Sequence, residues 1–352
     1  MHESRFAEIR QDALAACAGQ PDMRAALARH HIAVTGGTGF LGTWIAELVA
    51  ALNDEYRLGI TLDVYARHTD DWRQRYPHLA SRPDIRLRAQ DVRSSFEFAK
   101  TTHYVIHAAG IPNNRVHSSD PLRVFQTTVA GVANALDAAR QLDGLLRFVN
   151  VSSCLVAGTP QRPGALAEND VFPLAAGQPH TVYAEAKRAA ETAAAIYRSQ
   201  YRLPVSTVRP FTLTGAYQEL DRPWAINNFL RDTLTSGEIR IHGDGSARRS
   251  YLYGADAAWW TLVALIKGQD GEAYNLGSAA AVSHNDLVRL IGERAANRPR
   301  VAHNTAPQRQ QQVDDLFPDL ALTLRRLGVQ ETLTLPQVVD KAYRWFATPH
   351  TA

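Results

Sequence analysis

The sequence predicts an α/β protein: a doubly wound parallel sheet followed by a smaller, mostly helical C-terminal lobe. Three observations predict it. Six apolar strand-like runs alternate with helical segments over the first two hundred residues, a glycine-spaced loop follows the first of these runs, and past Arg209 the alternation gives way to longer loops and helices. The length of 352 residues, 45% apolar and 21% charged, suits one large or two intimate domains, because a single core stops growing near roughly 250–300 residues.

Residues 1–30 read as a helical extension, with Phe6, Ile9, Leu14 and Leu27 among alanines and charges and Pro21-Asp22 dividing two helices. The runs Ile32–Val34, Ile60–Tyr65, Ile85–Arg88, Tyr104–His107, Phe148–Val151 and Val205–Val208 read as strands. Helices are expected at Leu41–Leu52, Leu122–Leu142 and Tyr183–Tyr201 between them, since parallel strands need helical crossovers. Gly243-Asp244-Gly245 marks a turn, and further helices are expected at Ala225–Leu234, Ala255–Ile266, His284–Ala295 and Pro336–Phe346. Ala273–Leu276 reads as one more strand of the main sheet, so the expected division is 31–209 plus about 247–275 for the sheet domain and 210–246 plus 276–348 for the smaller lobe.

Composition narrows the function. A membrane span needs about 20 consecutive apolar residues, and the uncharged stretches here are shorter and broken by polar residues. Met1 to Arg10 mixes Glu3, Arg5, Glu8 and Arg10, which is unlike a secretory signal, so a cytoplasmic enzyme is expected. Lys plus Arg (38) exceed Asp plus Glu (35) only slightly and without clustering, which argues for a small anionic ligand rather than nucleic acid. Cys17 and Cys154 lack CxxC or Cys/His spacing, so neither a disulfide framework nor a metal site is expected.

The first strand runs into Thr35-Gly36-Gly37-Thr38-Gly39-Phe40-Leu41-Gly42. Glycines at 36, 39 and 42 allow a tight turn, close backbone approach to a pyrophosphate, and packing of helix on strand, with the helix N-terminus facing the phosphates. This makes a dinucleotide the expected cofactor. The second strand ends Val64-Tyr65-Ala66-Arg67-His68, without the acidic residue that would take a ribose 2′-hydroxyl. Arg67 can pair with the 2′-phosphate of NADP, stack on the adenine of NAD, or stand in solvent, and the cofactor choice stays open. Asp91, in Gln90-Asp91-Val92 after the third strand, is placed to accept from the adenine amino group or to cap the next helix.

Tyr183 and Lys187 stand four apart on one helix face. A phenol is a poor base at neutral pH, but an ammonium within a few Å favours the phenolate, so the pair suits proton abstraction from an alcohol. Upstream, the fifth strand ends Asn150-Val151-Ser152-Ser153-Cys154, where a serine can reach both a substrate hydroxyl and the phenol.

These motifs, with His107-Ala108-Ala109-Gly110 after the fourth strand, resemble the extended short-chain dehydrogenase/reductase family, nearest to its nucleotide-sugar epimerases and dehydratases. The likeness covers about residues 31–345. Arg209-Pro210-Phe211-Thr212-Leu213-Thr214-Gly215 is similar to the family's R-x-F-N-x-x-G, Gly243-Asp244-Gly245 with Arg249-Ser250-Tyr251-Leu252-Tyr253 and Asp256 to its GDG…R-x-[FYW]-x-[YH]…D, and Tyr274-Asn275-Leu276-Gly277 to its Y-N-[LIV]-G.

The resemblance implies NAD as cofactor, held by Gly36, Thr38, Gly39, Phe40, Leu41, Gly42, Arg67, Asp91, Val92, Ala108, Ala109, Gly110, Tyr183, Lys187 and Pro210, with NADP left open by Arg67. It implies Ser153 as catalytic hydroxyl, Tyr183 as base and Lys187 as its ribose-binding partner. Arg249 matches the position that grips the substrate diphosphate, Asn228 one that contacts the nucleotide, and Thr212 one near the sugar; Asn113, Asn114 and His117, placed after the fourth strand, can reach the sugar or stand in a solvated loop. The alanine-rich helix from Tyr183 implies a homodimer through a four-helix bundle.

Departures bear on the reaction. Cys154 and Leu155 stand where the 4,6-dehydratases carry an Asp-Glu pair, and Thr212 and Thr128 replace two usual asparagines. The expected enzyme oxidises a sugar alcohol transiently and then returns hydride to the other face, giving an epimer. Alternatives are elimination of water with Cys154 or a residue of the 111–117 loop as acid, net keto-sugar reduction, and a catalytically silent NAD(P)-sensing scaffold.

Overall fold

The computed structural model describes residues 2–295, 298–304 and 314–348, with side chains from residue 5 onward. Two helices, α1 (His2–Cys17) and α2 (Pro21–Ala26), precede the sheet, as the two apolar clusters around Pro21 predict. Then come β1 (His31–Thr35), α3 (Phe40–Tyr56), β2 (Thr61–Ala66), α4 (Asp70–Arg75), α5 (Pro77–Ala80), β3 (Ile85–Ala89), β4 (Tyr104–His107), α6 (Asn114–Ser119), α7 (Pro121–Ala139), β5 (Arg147–Val151), α8 (Val182–Tyr201) and β6 (Val205–Pro210).

The second half carries β7 (Thr212–Thr214), α9 (Ala225–Thr235), β8 (Glu238–His242), β9 (Arg248–Arg249), β10 (Tyr251–Tyr253), α10 (Gly254–Lys267), β11 (Ala273–Leu276), β12 (Val282–Ser283), α11 (His284–Gly292), β13 (Arg300–Asn304), β14 (Asp315–Leu316), α12 (Ala321–Leu327) and α13 (Leu335–Ala347). Helix α11 stops three residues short of the expected Ala295, and residues 296–297 and 305–313 of the expected small lobe lie outside the described residues.

Seven strands form one parallel sheet in the order β11-β6-β5-β4-β1-β2-β3, so Ala273–Leu276 does join it, beside β6. Its central strands are apolar on both faces because helices cover both. On one face α3 and α10 pack together under α1, around Trp44, Ile45, Leu48, Trp259 and Trp260. On the other, α7 and α8 pack over Val105, Phe148 and Val205. Chain order reverses between β1 and β4, which opens a crevice at the carboxyl ends of the strands.

The smaller lobe is more mixed than its helical periodicity predicts. Beside α9, α11 and α13 lie three small sheets, β7 with β10, β8 with β13, and β9 between β12 and β14; β9 and β10 fall within the 247–275 expected of the sheet domain, yet they pair outside the seven-stranded sheet. Most of these strands are two or three residues long, too short to show an alternating pattern in the sequence.

Candidate active site

The loop after β1 is fitted to the end of β4. Gly36 has φ +67°, and a Cβ there would come within 2.7 Å of the Ala109 backbone, so only glycine lets the two segments meet. Likewise a Cβ on Gly42 would overlap the Gly37 carbonyl, which explains how tightly α3 seats on the loop. Gly39 caps α3 with no side chain, so no capping side chain satisfies the first-turn N–H groups around Phe40 and Leu41, and Thr38 is half-buried beside them. His107 fixes β4 to β1 through Nδ1 and the Thr35 hydroxyl, 2.8 Å apart; burial lowers its pKa to about 3, so the ring is neutral.

Arg67 is exposed just past β2. Partial burial and the nearby Arg123 and Arg93 disfavour its charge while Asp91 favours it, which gathers three arginines and one carboxylate at this edge of the crevice. Asp91 accepts from the Arg93 backbone at 2.9 Å and from its guanidinium at 2.6 Å, and these bonds hold the carboxyl below the usual range. It closes a turn on Arg93 rather than capping a helix. Val92 is buried against Gly131 of α7, where a Cβ would meet it at 2.9 Å.

Ser153 follows β5 and caps a short 3-10 turn, Cys154–Ala157, accepting from the Leu155 N–H at 3.2 Å. Tyr183 and Lys187, one turn apart on α8, are both buried. Burial pushes the Tyr183 phenol well above its ordinary value and Cys154 adds to this, while the Ser153 hydroxyl favours the phenolate. The Lys187 ammonium lies 5.8 Å from the Tyr183 ring centre and donates to the Val151 carbonyl at 2.7 Å; burial lowers its pKa to about 8 against the pull of Glu191. Gly110 lies against it, since a Cβ there would stand in ordinary contact with Nζ at 3.6 Å. Burial pushes the Cys154 thiol up to about 12, although Ser153 and Arg249 favour its thiolate, so the sulfur stays protonated.

The structure thus brings Ser153, Cys154, Tyr183, Lys187 and the Ala108–Gly110 segment to the strand ends, and Arg249 stands near enough to act electrostatically on Cys154. Thr212 pairs with Tyr251 across β7 and β10, two residues beyond Arg249, and Pro210 ends β6 opposite Leu276. Two expected substrate contacts have protein partners: the Asn113 carbonyl caps α6 on the Arg115 N–H at 3.0 Å, and the Asn228 carbonyl accepts from Arg231 at 2.9 Å.

Two relationships are not visible in the sequence. Arg249 donates to the Asp314 carboxylate and carbonyl, each at 2.6 Å, and Arg248 pairs with Asp315. The matched doublets Arg248-Arg249 and Asp314-Asp315 are the only trace of this along the chain. In α6, His117 lies flat on the Tyr183 ring, with centroids 4.6 Å apart and planes 14° from parallel. Among the described residues no cluster of His, Cys, Asp or Glu could hold a metal ion.

The sequence profile of the NAD dependent epimerase/dehydratase family matches residues 32–277. The chain belongs to this family. Among its curated relatives, a UDP-N-acetyl-alpha-D-glucosaminuronate decarboxylase of Bacillus cytotoxicus is 24% identical over 319 residues, covering 89% of this chain and 96% of that protein. UDP-glucuronic acid decarboxylase 1 of Arabidopsis thaliana is 29% identical over 268 residues, which span 75% of this chain but only 58% of that one. The family's fold is also that of solved structures at lower identity. A UDP-glucuronic acid 4-epimerase from Bacillus cereus, in complex with UDP-glucuronic acid and NAD, superposes with a TM-score of 0.75 at 19% identity, covering 90% of this chain and 98% of that one. A UDP-glucose 4-epimerase from Thermotoga maritima gives 0.74 at 20% identity, with coverage of 90% and 98%.

Proposed function

We propose that this protein binds NAD and acts on a nucleotide-linked sugar by transient oxidation of a ring alcohol to a ketone, with epimerisation as the net reaction. The observation that carries the reading is the buried Tyr183–Lys187 pair beside Ser153, at the strand ends of a sheet whose first loop is built for a pyrophosphate.

The residues present fit the cofactor. The Gly36 loop lies against Ala109 with no side chain between, and the first turn of α3 offers N–H groups that no side chain caps. Gly36, Thr38, Gly39, Phe40, Leu41 and Gly42 would hold the pyrophosphate, Arg67, Asp91 and Val92 the adenosine, and Ala108, Ala109, Gly110, Lys187 and Pro210 the remainder. When bound, NAD supplies a hydride acceptor and a positive charge.

Tyr183 takes the proton from the substrate hydroxyl. Burial alone keeps its phenol protonated, so Lys187, charged below about pH 8, is needed to favour the phenolate. Ser153 donates to the oxygen on which charge develops. Arg249 suits a diphosphate as a planar fork, and substrate would take the place that the Asp314 carboxylate holds on it. Cys154, protonated up to about pH 12, is a weak acid at neutral pH, which disfavours elimination of a hydroxyl and leaves return of hydride as the simpler outcome.

A second reading, decarboxylation of a nucleotide-linked uronic acid, is favoured by the decarboxylases among the relatives. A carboxylate β to the newly formed ketone can leave as carbon dioxide without the missing acid–base pair. Incubation with NAD and a panel of UDP-linked hexoses, N-acetylhexosamines and uronic acids, followed by chromatography and mass analysis, separates these. Unchanged mass with altered retention is expected; loss of carbon dioxide would select the second reading and loss of water an elimination. No product from any sugar nucleotide, or full activity in Tyr183→Phe, would overturn both.

We further propose a homodimer through α7 and α8, whose outer faces expose Leu122, Phe125, Ile196 and Tyr201. Sedimentation as a monomer at micromolar concentration would contradict it. Among the described residues no helix is long and apolar enough to cross a membrane, and the cytoplasm suits the free, buried Cys17 and Cys154.

A further inference from the structure

The segment after β4 turns into the short helix α6, started by the Asn113 cap. It buries one side chain, His117, which is 7% exposed. Its ring is anchored at one point: Nε2 lies 2.7 Å from the Ile111 carbonyl. A carbonyl oxygen can only accept, so Nε2 carries the proton and, in the neutral ring, Nδ1 keeps its lone pair. Tethered in this way, the imidazole covers one face of the Tyr183 ring almost in parallel.

We propose that His117 is a positioning residue for the reaction: its tethered ring clamps the Tyr183 ring so that the phenol is held at the place where the substrate hydroxyl arrives. The inference rests on the reading of Tyr183 as the base. Tyr183 is the second residue of α8, where the helix has only just begun, and a phenol oxygen lies far from its backbone anchor. General-base transfer requires that oxygen within hydrogen-bond reach of the proton it takes, and small misplacements are costly to rate. Lys187 stands 5.8 Å from the ring centre with its ammonium held on the Val151 carbonyl, so it does not fix the ring plane. A flat neighbour on the ring face can, since offset stacking restricts tilt while adding no charge. Burial lowers the basicity of His117 despite the Ile111 bond, so it clamps as a neutral ring and leaves the phenolate to Lys187.

The test uses the full chain in three variants, Tyr183→Phe, His117→Ala and His117→Phe, with NAD and the UDP-sugar that the wild type converts. His117→Ala is expected to lower kcat by about 10–100-fold with NAD affinity and KM within a fewfold, and His117→Phe, which keeps the flat ring but not the Ile111 tether, to recover part of the loss. Ring-carbon-labelled tyrosine gives a readout that needs no turnover: the Tyr183 signal, assigned by its absence in Tyr183→Phe, should show slow ring flips in the wild type and His117→Phe and fast flips in His117→Ala. Equal kcat in wild type and His117→Ala, or unchanged flip rates, overturns the positioning role. So does a loss in His117→Ala that Phe does not rescue. If Tyr183→Phe is itself fully active, the reading of Tyr183 as base fails instead.

Discussion

Lys187 points its ammonium at the main-chain carbonyl of Val151, 2.7 Å away at the end of β5, one helical turn from Tyr183. Folding puts a charge where water cannot reach it, and the fall of its pKa from 10.5 to about 8 records that cost. The sign comes from linkage. The unfolded chain keeps this proton up to about 10.5 and the folded one sheds it near 8, so stability rises with pH between those values.

Lys187→Met is therefore expected to be inactive and more stable. At neutral pH it removes a burial cost on the order of 3 kcal/mol and loses one charged hydrogen bond of about 1.5 kcal/mol. A net gain of about 1–2 kcal/mol in urea unfolding is expected, shrinking as the pH is raised toward about 10. Equal or lower stability at neutral pH would show that the ammonium is solvated in the folded state.

The family resemblance places Cys154 at the position of an elimination acid, yet its thiol is pushed up to about 12 by burial. Cys154→Ala should keep turnover within about threefold of the wild type, and iodoacetamide should modify the folded protein slowly at neutral pH, since the thiolate is the reactive form. A loss of about 100-fold in Cys154→Ala would return the sulfur to the chemistry.

Much of the architecture is legible in the sequence because it is written in long periodic segments. All six strand runs and the helices between them recur within a few residues of their expected ends, and the glycine loop and Tyr183/Lys187 are local signals with fixed spacing. The rest depends on partners distant in sequence. Strands such as β9 and β14 are two residues each and exist because Arg248-Arg249 meets Asp314-Asp315, and His117 acquires a role only because α6 and α8 converge. Asn113 and Asp91 each also bond within their own turn, a local role common for short polar side chains that their position in the sequence does not by itself display.

At the edge where the proposed function puts the adenosine, Arg67 stands with Arg93 and Arg123 near Asp91. That positive field should let NADP bind within about tenfold of NAD, with Arg67 taking the 2′-phosphate. Arg67→Ala should then weaken NADP by about 10–100-fold, the worth of a charge-assisted bond, and NAD by less than about threefold. Titration of both cofactors by tryptophan fluorescence checks this, and equal losses for the two would assign Arg67 to adenine stacking.

Asp256, in the first turn of α10, accepts from the Thr332 N–H at 3.1 Å and its hydroxyl at 2.8 Å, and so holds the segment before α13. Burial pushes its carboxyl from 3.8 up to about 6, with Glu331 and Asp12 adding to the effect against the two Thr332 bonds. The folded protein therefore keeps this proton to higher pH than the unfolded chain. Its contribution is fully present below about 3.8 and is lost as the pH rises through about 6. Asp256→Asn preserves an acceptor for Thr332 and removes the titration. Above about pH 7 the variant should exceed the wild type by up to about 2 kcal/mol, once the weakened bonding is subtracted from a charge-burial cost on the order of 3 kcal/mol. Near about pH 4 the order should reverse or vanish, because the wild-type carboxyl is then neutral and bonds Thr332 at least as well. Urea unfolding of both proteins at the two pH values decides it, and a constant difference between them would mean that Asp256 does not titrate in this range.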